Sequence, residues 1–108
     1  MTPEETIDRA KLTRRFRGEQ LDIPILVELV QMYPHDPRGY LYAGMALLEV
    51  KDPMGVSYLE RASQIEPRLM TKTCNIIAEF LRSQGQHAKA IQYERNGQAS
   101  RAKKAPTH

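Results

Sequence analysis

Proline and glycine interrupt this chain at short, nearly even intervals, and between them the apolar residues recur with helical spacing. A chain divided in this way cannot form one long helix. It must turn back on itself repeatedly, each helix lying antiparallel to the one before it. A first helix starts at Thr2, with Pro3 in its first turn and Glu5 three residues after the cap. It carries Ile7, Ala10, Leu12 and Phe16 and stops at Gly18. A second carries Ile25, Leu26, Leu29, Val30 and Tyr33 and ends before Pro34. The third and fourth open with one device: Asp36-Pro37 and Asp52-Pro53 set a capping carboxylate ahead of a proline whose missing N–H costs nothing in the first turn. The fifth runs from Leu69 through Ile76, Ile77 and Phe80 to Gly85. The sixth holds Ala88, Ala90, Ile91 and Tyr93 and is expected to fade after Asn96-Gly97.

Sustained period-two alternation is missing from every segment, which argues against strands. The chain has 108 residues, enough for one domain with one core. Aromatic residues make up 6% and Trp is absent, so Leu, Ile, Ala and Met must fill that core, a choice that suits packed helices. The fold class expected is therefore all-α, with about six helices in antiparallel helix-turn-helix pairs. No apolar run approaches the length of a membrane span, and the N-terminus lacks the basic start and apolar centre of a secretory signal. Cys74 is the single cysteine, which excludes an intramolecular disulfide and suits a reducing, cytoplasmic setting.

Tyr33-Pro34 and Glu66-Pro67 close two helices 33 residues apart. Within residues 37 to 67, Tyr40, Gly44 and Leu47 are followed by Gly55, Leu59, Ala62 and Pro67. Small residues at such positions let paired helices approach, and bulky ones fill the groove between them. This pattern resembles the tetratricopeptide repeat family, whose period is roughly 34 residues. Residues 68 to 97 follow it more loosely through Cys74, Ala78, Leu81, Gly85 and Ala90, with Glu94 where a bulky residue is expected and Gly97 in place of Ala. The spacing from Gly44 to Gly55 is one residue short of the family's, and residues 3 to 34 match only in outline. The resemblance implies a short tetratricopeptide-like solenoid over residues 1–97, with units at 3–34, 37–67 and 68–97, followed by a basic, frayed tail over 98–108.

Residues with catalytic potential do not gather into a recognisable motif. His35, His87 and His108 are isolated, so neither a metal site nor a cofactor is expected. The glycines form no phosphate-binding loop, the serines sit on helices, and Cys74 falls where the repeat reading puts core. The expectation is a protein that is not an enzyme. The family resemblance implies instead an interaction module, an adaptor, scaffold or regulatory domain, that takes a peptide or partner helix on its concave face. The residues it assigns to that face are Arg38, Leu41, Met45 and Glu49 in the middle unit and Lys72, Asn75, Glu79 and Arg82 in the last, with Asp8, Lys11 and Arg15 as counterparts in the first helix. The family's carboxylate-clamping variant is not implied, because Asp8 and Leu41 stand where it would want cationic or polar groups.

Charge supplies the alternative. The net +3 comes from the C-terminal stretch, where Lys89, Arg95, Arg101, Lys103 and Lys104 are opposed only by Glu94. Such a stretch can bind nucleic acid or an anionic surface. No aromatic follows Tyr93 to offer a base a stacking platform, so this reading ranks second. Self-association through a terminal helix pair is the third reading.

Overall fold

The computed structural model describes residues 2–8 and 23–104, with side chains described as far as Ala99. All of its regular structure is helical: α1 (3–8), α2 (Ile23–Met32), α3 (Pro37–Glu49), α4 (Met54–Ile65), a 3-10 turn (Pro67–Leu69), α5 (Met70–Ser83) and α6 (His87–Lys104). Among the described residues there is no strand, and no helix is long and apolar enough to cross a membrane.

The caps expected from sequence form. The Glu5 N–H donates to Thr2 Oγ1 at 3.2 Å, opening α1. The Arg38 N–H donates to Asp36 Oδ1 at 2.9 Å, and the Met54 N–H to Asp52 Oδ1 at 2.9 Å. Each satisfies an N–H that the first helical turn leaves without a partner. Glu66 repeats the device before the 3-10 turn, accepting from the Arg68 N–H at 3.2 Å.

The C-termini of α3 and α5 close in the same way. After α3, the Lys51 N–H bonds to the Leu48 carbonyl at 3.0 Å and the Asp52 N–H to the Leu47 carbonyl at 2.9 Å. After α5, the Gly85 N–H bonds to the Arg82 carbonyl at 3.1 Å and the Gln86 N–H to the Leu81 carbonyl at 2.8 Å. Both are Schellman closures, which need a left-handed residue just past the helix. Gly85 provides it at φ 77°, Lys51 at φ 63°. The two turns lie 34 residues apart in the chain.

Packing follows the order of the chain. The most extensive pairings are α3 with α4 and α5 with α6; α2 packs on α3 and α4 on α5, while α3 also touches α5. One cluster joins α1, α2 and α3 through Ile7, Leu26, Leu29, Ala43 and Ala46. A second joins α3 to α6 through Leu41, Leu48, Leu59, Ala62, Ile77, Ala78, Leu81 and Ala90. Helix α3 contributes to both, and seven of its 13 residues are buried. Burying a side chain such as Leu26, Leu29, Leu59 or Ile77 contributes about 1.5–3 kcal/mol each. An exposed ion pair such as Arg68–Glu66 contributes far less, because water screens the charges and ordering two long side chains offsets their attraction. Packing therefore dominates the stability of the stack.

The closest approach lies between α3 and α4. A Cβ on Gly55 would meet the Gly44 carbonyl oxygen at 2.5 Å, and one on Gly44 would meet Leu59 Cγ at 2.7 Å. The backbones touch, and neither position has room for a methyl group.

One expectation about length is corrected. Helix α6 does not fade at Asn96-Gly97 but continues to Lys104, so residues 98–104 of the expected frayed tail are helical. Gly97 lies buried against α5: its Cα faces Cys74 closely enough that an added Cβ would come to 3.1 Å, and its carbonyl accepts from Thr71 Oγ1 at 3.2 Å. These contacts offset the poor helix propensity of glycine at that point. The first helix beyond residue 8, with Ala10, Leu12, Phe16 and Gly18, lies outside the described residues.

Candidate functional site

Helix α5 presents one polar stripe. The run MTKTCNIIAEFLRS places Thr73, Cys74, Ile77, Ala78 and Leu81 inward, and at helical spacing this turns Lys72, Asn75, Glu79 and Arg82 out to solvent. All four residues expected on this helix are exposed. Asn75, Glu79 and Arg82 border a depression of about 250 Å³ whose floor is Ala78 and whose far wall is Glu94 and Gln98 of α6. Arg82 pairs with Glu94 across the helix interface. The depression thus carries two carboxylates, a guanidinium and two carboxamides, able both to donate and to accept hydrogen bonds.

The α3 residues divide differently. Arg38 is held by two carboxylates: its guanidinium donates to Asp36 Oδ2 at 2.7 Å and to Glu4 Oε1 at 2.8 Å, tying α1 to the start of α3. Hydrogen bonding to Arg38 holds the carboxyls of Asp36 and Glu4 below their ordinary values and raises the Arg38 pKa further. Leu41 is 7% exposed and belongs to the core shared with Ile77 and Leu81, so it does not offer an open contact surface. Met45 is half-buried against that same core, while Glu49 is exposed. Asp8 is exposed on α1; Lys11 and Arg15 lie outside the described residues. Among the described residues, the stripe expected across three helices is continuous and solvent-facing on α5 alone.

Glu94 and Gln98 were not expected at this site. Their signal is weak in sequence, because it depends on how α6 folds back along α5 and not on any motif. Opposite charges at Arg82 and Glu94, either side of the Gly85 turn, are the one hint.

The basic residues of α6 do not share a face. At about 100° per residue, positions 89, 95, 101, 103 and 104 are spread around the whole helix. Lys89 and Arg95 are exposed; the side chains of Arg101, Lys103 and Lys104 lie outside the described residues.

Cys74 is 3% exposed, and its Sγ donates to Met70 Sδ at 3.6 Å. Burial, and then the charge of Glu60, pushes the thiol up, which disfavours the nucleophilic thiolate. The same two causes raise the Tyr93 phenol, whose hydroxyl donates to Glu60 Oε1 at 3.4 Å. Among the described residues, no group of three or more His, Cys, Asp or Glu side chains comes together as a metal site would. No protein-family model matches the sequence, and no curated protein is significantly similar to it.

Proposed function

We propose that this chain is a protein–protein interaction module, a short stack of tetratricopeptide-like helix pairs that takes an extended peptide or partner helix against α5. The observation that carries the reading is the exposed row of Lys72, Asn75, Glu79 and Arg82 on α5, the last three of which border a depression walled by Glu94 and Gln98. A row of this kind supplies polar contacts for a partner laid along the helix. The solenoid reading draws its support from three features: sequential packing of helices, the contact of α3 with α5, and the recurrence of one closing turn after 34 residues.

The reading is tested by selecting binders from a displayed random-peptide library on the wild-type protein and measuring their affinity by calorimetry. A Lys72→Glu/Asn75→Arg variant changes two exposed α5 side chains and leaves the core intact. It is expected to weaken the selected peptides about tenfold or more, a loss of at least about 1.4 kcal/mol. A Lys89→Glu/Arg95→Glu variant on α6 is expected to leave affinity unchanged. Equal binding to the α5 variant, or loss confined to the α6 variant, would reject the proposed surface.

A further inference from the structure

We draw no further inference here: the strongest candidate, the apolar depression of about 330 Å³ where Val30, Tyr40, Met54 and Tyr58 meet between α2, α3 and α4, is an unpartnered apolar face, and nothing in the structure shows what covers it.

Discussion

Replacing Lys51 with glycine should stabilise the protein. Lys51 sits at φ 63°, a conformation that brings an L-residue's Cβ against its own backbone at a cost of about 1–2 kcal/mol. Glycine removes that cost but adds freedom to the unfolded chain, worth about 0.4–1 kcal/mol in the opposite direction. The net gain expected is about 0–1.6 kcal/mol with a centre near 0.8, which at that centre is roughly 3–6 °C in Tm for a chain of this size. The lysine side chain is exposed, so little packing is lost with it. Gly85 provides the converse test at the equivalent turn, because a Cβ added there meets nothing within 4 Å and any change must come from the backbone. Gly85→Ala is expected to destabilise by about 1 kcal/mol. Urea and thermal unfolding followed by circular dichroism would measure both, with an unchanged urea dependence showing that stability changes while the surface exposed on unfolding does not. A destabilised Lys51→Gly protein, or a stabilised Gly85→Ala, would refute the account of these two turns.

Gly55→Ala should destabilise by about 1–3 kcal/mol despite alanine's better helix propensity, because its methyl meets the Gly44 carbonyl and Leu48 at 2.5 and 2.8 Å; a Tm at or above wild type would contradict the backbone contact. Asp36 and Glu4 have folded pKa values below their ordinary 3.8 and 4.5, so the stability they confer is present above those values and is lost as pH falls through the folded ones. Arg38→Met should therefore be less stable than wild type at neutral pH by an amount that shrinks on acidification below about pH 4.5; urea titrations across pH would reveal it, and a gap independent of pH would count against the ion pairs. Cys74 should react with a disulfide reagent far more slowly in the native protein than in denaturant, and Glu60→Gln should lower its pKa. Rapid native labelling would show the thiol to be accessible after all.

The starts of α3 and α4 and the end of α5 were legible because the residues that set them act locally. Asp36, Asp52 and the prolines after them cap from side chain to nearby backbone, and Gly85 supplies a left-handed turn without help from any distant residue. Lys51 was not legible in the same role, since nothing in a lysine marks a positive φ; the preceding helix imposes it. Gly97 misled for the opposite reason. Glycine reads as a stop, yet here contacts with Thr71 and Cys74 carry α6 through it. In the candidate site, the family resemblance picked out a stripe on α5 that is exposed. That resemblance was not enough for Leu41, because a leucine at that spacing can line a groove or fill it, and only the packing of α3 near α5 decides. Glu94 and Gln98 belong to the site through tertiary approach alone.

Helix α3 stands in both apolar clusters, and this governs how the molecule can come apart. Unzipping from the C-terminal end can release α6 and then α5 while Ala43 and Ala46 still rest on α2. Loss of α1 and α2 leaves Leu41 and Leu48 seated against α4 and α5. Partial opening from either side therefore stops at α3, and its amides, around Ala43 to Leu47, should be the last in the chain to exchange with deuterium.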